Sequence, residues 1–324
     1  MRYRKLGRSG ITVSVVGLGT WQFGGEWGKR FSQAEVDSLL RRAAELGVNL
    51  IDTAECYGDH LSESLIGRAI ARNRDSWIVA TKFGHRFHAA RIAKANWDVS
   101  ELRTDAWSPR EVVAQLDASL RALQTDYVDV YQSHGGQDAP FNSPQLWETL
   151  QQEVAKGKIR HLGISLDATD VDQTKLAPGV NADVIQVTYN RLNRVAEEGV
   201  LPASAHADLG VLAREPLANG YLSGKYRPGH WVTSRDDWRS SHNPQEADAQ
   251  LQAVSDIEAQ ELPDGIPLAQ WAVAWPLQHH AVATVIPGCR NIEQLEGNAA
   301  AANLDLVSDT HPLAAPQAPR TAAG

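Results

Sequence analysis

The stretch Val128-Asp129-Val130-Tyr131-Gln132-Ser133-His134, continued by Ser143-Pro144, Gly157 and Ile159-Arg160-His161-Leu162-Gly163-Ile164-Ser165, decides the fold. Val128–Gln132 is a short apolar run and reads as a strand. Ser143 is a good N-cap, and Pro144 suits a first helical position, where its missing N–H costs nothing. Gly157 ends that helix, and Ile159–Ser165 is the next strand. A strand, a helix and a strand in this order make a parallel pair with a helical crossover.

The same unit repeats in both directions. Toward the N-terminus, Ile78–Lys82 is a strand, and Ser108-Pro109-Arg110-Glu111 opens its helix with a capping box. Leu50–Asp52 is followed by a helix over Ser62 to Ala71. Val15–Leu18 is the first barrel-type strand, after a hairpin around Gly7 to Gly10. Ser32-Gln33-Ala34-Glu35 caps the next helix; Val36, Leu39, Leu40, Ala43 and Ala44 recur at helical spacing, and Gly47 ends it. Toward the C-terminus come Val184–Thr188, a helix near Ala196–Asp208, Val211–Arg214, Val282–Ile286 and a helix capped at Asn291. Eight such pairs predict a (β/α)8 TIM barrel; a doubly wound open sheet is the alternative.

Two connections are long, about Gly84 to Trp107 and Gly220 to Gly265. Both follow strands, so both are expected over the C-terminal face, where barrel chemistry sits. One domain over residues 1–306 is expected. The Ala- and Pro-rich tail from Val307 to Gly324 is expected to be poorly ordered.

Composition sets limits. Of 324 residues, 43% are hydrophobic and 22% charged, enough apolar material for a large core. A net charge of −8 argues against nucleic-acid or anionic-membrane partners. Two cysteines, Cys56 and Cys289, make a disulfide framework unexpected and fit a reducing compartment. No apolar run is long enough for a membrane span, so the cytoplasm is the expected location.

Polar residues close several strands. Asp52 ends one, Tyr57 lies five positions on, Lys82 ends the next and His134 the one after. In a barrel these ends share one mouth. Each also has an ordinary reading: Asp52 as a loop cap, Tyr57 as a half-buried aromatic, Lys82 as a solvated strand end, His134 as a satisfied core histidine.

Asp52-Thr53-Ala54-Glu55-Cys56-Tyr57-Gly58, with Ser62-Glu63 and Gly67, resembles the signature of the aldo-keto reductase family. So do Lys82 after Ile78-Val79-Ala80-Thr81, and His134 after Tyr127 to Ser133. The resemblance runs from about Arg2 to Ala301 and implies an NADP(H)-dependent enzyme that interconverts carbonyls and alcohols. It implies that Tyr57 is the proton donor. A tyrosine hydroxyl has an ordinary pKa near 10, which a neighbouring ammonium lowers; that would be Lys82. Asp52 would pair with Lys82, and His134 would hydrogen-bond the substrate oxygen.

Gly17-Leu18-Gly19-Thr20-Trp21-Gln22 begins like a dinucleotide fingerprint but has Gln22 where the third glycine belongs. The family instead lays the cofactor across a barrel mouth. Carried over, Gly19, Thr20, Trp21 and Asp52 would border it, and Ser165 and Gln186 would hold the carboxamide. Arg214 stands where relatives often have a stacking aromatic. Leu217 and Gly220 would line the pyrophosphate loop. Gly288, Arg290, Gln294 and Asn298 would form the adenosine site, with Arg290 suited to a 2′-phosphate. Leu166 departs from the Asn or Asp common after the serine, so a carboxamide contact is expected to be lost.

Other features have quieter readings. Cys56 is expected to be a small buried thiol. His85 and His88, spaced H-x-x-H, lack an evident third ligand and read as loop residues near substrate. His279-His280 would end a helix. Trp21, Trp27, Trp97, Trp231 and Trp238 lie after strands and could wall a pocket for a small carbonyl or sugar. A nucleotide-sensing regulatory subunit with little turnover is the alternative to an enzyme.

Overall fold

The computed structural model describes residues 1–87, 103–135, 142–232, 234, 235 and 237–315. A hairpin, β1 (Tyr3–Lys5) and β2 (Thr12–Ser14), precedes the first barrel strand, β3 (Leu18–Gly19). Helix α1 (Gln33–Glu45) leads to β4 (Leu50–Asp52), and α2 (Leu61–Ile70) to β5 (Ile78–Phe83). A two-stranded ribbon, β6 (His85–Phe87) and β7 (Arg103–Asp105), lies before α3 (Pro109–Leu123) and β8 (Val128–His134). Then come α4 (Pro144–Ala155), β9 (Ile159–Leu166), α5 (Val171–Leu176) and β10 (Ala182–Thr188). They are followed by α6 (Val200–His206), β11 (Gly210–Arg214), α7 (Pro244–Glu261) and α8 (Leu268–Ala274). β12 (Val282–Val285), α9 (Ile292–Ala300) and β13 (Ala314–Ala315) complete the chain.

Eight parallel strands form one sheet in the order β3, β4, β5, β8, β9, β10, β11, β12. The sheet closes on itself. Val285 N–H donates to Val15 C=O at 3.0 Å, Gly17 N–H to Val285 C=O at 2.8 Å and Gly19 N–H to Pro287 C=O at 3.0 Å. The stretch that pairs with Val285 is thus Val15 to Gly17, the start of the run expected as strand one. Closure leaves no sheet edge and makes this the expected (β/α)8 barrel.

The caps work as their residue types dictate. Ser32 and Ser108 both form complete capping boxes with Glu35 and Glu111. Asn291 caps α9 by accepting from Gln294 N–H. Ser143 makes no cap bond; α4 starts on Pro144 alone.

Two differences concern the long connections. The first carries the β6–β7 ribbon. The second, read as loop, holds the 18-residue helix α7. Its buried residues Ala247, Leu251, Val254 and Ile257 sit at helical spacing and pack with Tyr221, Leu222 and Trp271 in a satellite core. The tail also packs farther than residue 306. Val307 and His311 are buried, and Ala314–Ala315 pairs with β1. Residues 316–324 lie outside the described residues, as do His88 and Trp97.

The barrel interior starts with an apolar floor. Leu50, Ala80, Val130, Val184, Leu212 and Ala283 cluster there with Leu6 and Val13 of the hairpin. The hairpin thereby plugs the N-terminal end, and the opposite end is left for the site. Among the described residues, no helix is long and apolar enough to cross a membrane.

Candidate active site

Side chains two apart on a strand share a face. Two positions beyond Leu50, Ala80, Val130, Val184 and Leu212 come Asp52, Lys82, Gln132, Gln186 and Arg214. A polar layer therefore sits directly above the apolar floor.

Its centre is an ion pair. Lys82 Nζ donates to Asp52 Oδ2 at 2.8 Å and to the Thr53 carbonyl at 2.8 Å. It also lies 3.4 Å from the Tyr57 hydroxyl. Lys82 is 1% exposed and Asp52 3%. Burial by itself would lower the Lys82 pKa; the Asp52 carboxylate and Tyr57 outweigh it and raise it above the ordinary lysine value. The ammonium thus stays charged. Asp52 Oδ1 accepts from Gln186 Nε2 at 2.7 Å and Gln132 Nε2 at 3.4 Å, so both its oxygens are engaged.

Tyr57 is not on a strand. A turn after β4 brings it back, with Tyr57 N–H donating to Ala54 C=O at 3.2 Å. Gly58 makes the turn possible. Its φ is +65°, and a Cβ there would lie 2.5 Å from Gly24 C=O. Gly58 N–H is also taken by buried Glu26 Oε1 at 3.1 Å.

His134 ends β8 with its ring edge-on to Tyr57, centroids 5.9 Å apart. Its Nδ1 lies 3.3 Å from Cys56 Sγ, which leaves Nε2 as the other ring nitrogen for the cleft that His134 lines. Burial pushes the imidazole pKa down to about 3 against the pull of Glu55, so the ring is neutral near pH 7.

One cleft of about 690 Å³ opens over this group. Asp52, Tyr57 and His134 line it; Lys82 stands behind them. Gly19, Thr20, Trp21, Ser165, Gln186, Arg214, Leu217, Gly220, Gly288, Arg290, Gln294 and Asn298 line the same cleft. The structure thus gathers the four proton-transfer candidates and the cofactor candidates around one space. Trp21 stacks on Tyr57 at 6.1 Å and on Trp238 at 5.2 Å, and meets Trp27 edge-on at 5.1 Å. Trp231 does not join them; it stacks on Tyr221 at 4.1 Å.

The far end of the cleft is built differently. Asn298 Nδ2 donates to Gly288 C=O at 3.2 Å, and Gln294 Oε1 accepts from Arg290 N–H at 2.8 Å. At Gly288 a Cβ would lie 2.0 Å from the end of the Gln22 side chain, so the Gln22 amide packs against the bare backbone there. Arg214 pairs with Glu215 and lies 3.6 Å from Asp167.

Residue reasoning missed Gln132 and Glu26. Gln132 was readable, since it is an amide on the inward face two positions before His134. Glu26 left no signal, because a long-range turn brings it to Gly58.

The aldo/keto reductase family model matches residues 15–313. This chain belongs to that family. It is 32% identical over 307 residues to an oxidoreductase of uncharacterized activity, YqkF, from Bacillus subtilis (strain 168), covering 94% of this chain and 92% of that one. It is 30% identical to the NADH-specific methylglyoxal reductase of Escherichia coli (strain K12), covering 94% and 95%. Among solved structures, an aldo-keto reductase from Bacillus halodurans in its holo form matches with a TM-score of 0.75 and 28% identity, covering 94% and 91%. As an aldo/keto reductase, the chain is an oxidoreductase of a family that binds a nicotinamide cofactor. Its cleft fits such a group. The cleft joins the proton-bearing residues to a helix N-terminus, with Gly288, Arg290, Gln294 and Asn298 at that end.

Proposed function

We propose that this aldo-keto reductase interconverts carbonyls and alcohols with NADP(H), using Tyr57 as proton donor. The carrying observation is the 3.4 Å approach of the Lys82 ammonium to the Tyr57 hydroxyl. When the phenol gives its proton to a carbonyl oxygen, the remaining phenolate faces a cation already in place. Asp52 keeps that cation from being buried alone. Neutral His134 donates from Nε2 to the same substrate oxygen, where negative charge develops. NADP(H), when bound, supplies the hydride.

Ser165 and Gln186 would hold the carboxamide, with Gln186 already anchored on Asp52. Arg290 supports the 2′-phosphate. It lines the cleft beside the start of α9, and its guanidinium has no ion-pair partner among the described residues. Lys29 Nζ donates to Arg290 C=O at 2.8 Å and pairs with Glu35 at 3.0 Å, which tethers the backbone that carries Arg290. One relative is named as NADH-specific, so the cofactor preference needs its own test. Trp21 and Trp27 line the cleft beside Tyr57, which suits small carbonyls with a flat or apolar face.

The test is consumption of NADPH and NADH by the purified chain with a panel of aldehydes, ketones and sugars. The expected result is turnover with NADPH exceeding that with NADH. Turnover with neither cofactor contradicts the enzyme; a preference for NADH contradicts the 2′-phosphate site.

A further inference from the structure

Beside the proton-donor group, and sharing His134 with it, four side chains of metal-binding type converge on one point. They are Glu55, Cys56, His85 and His134, and their donor atoms all lie within 4.8 Å of one another. We propose that these four residues bind one zinc ion through Glu55 carboxylate, Cys56 Sγ, His85 Nδ1 and His134 Nδ1.

The first argument is spacing. Tetrahedral zinc with bonds of about 2.0–2.3 Å sets its ligand atoms about 3.3–3.8 Å apart. Here Cys56 Sγ to His134 Nδ1 is 3.3 Å, His85 Nδ1 to Glu55 Oε1 is 3.6 Å, and His134 Nδ1 to Glu55 Oε2 is 3.9 Å. The two carboxylate distances are too long for hydrogen bonds; they end on different oxygens, so the Glu55 carboxylate spans both imidazoles and one of its oxygens would serve as the ligand.

The second argument is unmet bonding. Glu55 Oε2 and His85 Nδ1 are buried and make no hydrogen bond. Glu55 is only 3% exposed. A carboxylate so placed wants a cation close by. One thiolate, two imidazoles and one carboxylate make a borderline-soft set, which selects zinc over calcium or magnesium.

The third argument is access. Glu55 and His85 line a second cavity of about 230 Å³, while His134 lines the main cleft. The cluster lies between the two, so an ion has an entry path that does not cross the cofactor space. On binding, the Cys56 thiol proton leaves to solvent and the sulfur becomes a ligand. A zinc ion on His134 Nδ1 also leaves Nε2 as the ring's proton-bearing nitrogen. The site would thereby hold His134 in the form that donates to a carbonyl oxygen.

The test uses the full chain, stripped with a chelator and titrated with Co²⁺ as a spectroscopic stand-in. One equivalent per chain is expected, with a thiolate-to-cobalt charge-transfer band that Zn²⁺ abolishes by displacement. Cys56→Ala should lose the band, and Cys289→Ala should keep it. His85→Asn should weaken binding by more than about tenfold, since loss of mere supporting contacts in metal sites already costs that much. His85 is on the ribbon outside the barrel sheet, so this variant stays informative if Cys56→Ala fails to fold. No band in the unmodified chain, a band surviving Cys56→Ala, or unchanged affinity in His85→Asn would each overturn the site.

Discussion

The floor and the mouth of the barrel are made by the same strands, two residues apart, and they are held in opposite ways. Leu50 lies under Asp52, Ala80 under Lys82, Val130 under Gln132 and Val184 under Gln186. The floor is held by burial, which has no direction and tolerates reshaping. The mouth is held by specific pairs, in which removing one member strands the other. The strands supply rigidity from below, and the polar layer spends it on placing one ammonium beside one phenol.

Substitutions at the two levels should therefore fail differently. At the mouth, Lys82→Met should lower kcat by about 10²–10⁴-fold, the usual worth of a positioned proton donor and its support. It should also cost about 3–5 kcal/mol of stability, because Asp52 is left charged and buried. Steady-state kinetics and urea unfolding check the two halves. A stable variant with full activity would erase the distinction between the layers. At the floor, Leu50→Ala should cost about 2–5 kcal/mol, while the folded fraction keeps its kcat/KM. Loss of activity without loss of stability there would show that the floor shapes the site directly.

At the far end of the cleft, Arg290→Ala should raise the KM for NADPH about tenfold or more, from the loss of about 1.5–3 kcal/mol of charged hydrogen bonding. The KM for NADH should stay within about twofold. Equal effects on both would remove the 2′-phosphate contact from the account.

The smallest effect belongs beneath the floor. His311, in the segment packed against β1, has its pKa pushed down to about 4 by burial and by Arg4. In the unfolded chain it titrates near 6.5. Between these values the unfolded chain binds more protons, so stability is full above about pH 6.5 and falls toward pH 4. His311→Leu should flatten this slope in thermal melts. An unchanged slope would show that His311 does not couple the tail to acid stability.

Much of this was legible in the sequence, for reasons that differ by residue. Strand alternation places Asp52, Lys82 and His134 on the inward face at strand ends, so residue type and position agree. The capping boxes at Ser32 and Ser108 marked helix starts because their bonds are local. Helix α7 escaped notice because its apolar residues are sparse on a polar background, although Asn243 and Pro244 signalled its start. The convergence of His85 on Glu55 was not readable. It depends on Gly84, whose φ of +125° turns the chain out of β5 while Trp107 packs where a Cβ would lie. Tyr57 is the intermediate case, since a loop residue gains its place only through the close approach of Gly58 to Gly24.

The most direct measurement compares Tyr57→Phe with the unmodified chain in two assays on the same samples. One is NADPH binding by fluorescence titration; the other is single-turnover reduction of an aldehyde. The account predicts NADPH affinity unchanged within about twofold and turnover reduced by at least about 10²–10⁴-fold. Turnover near that of the unmodified chain, with binding intact, would contradict the assignment of the proton to Tyr57.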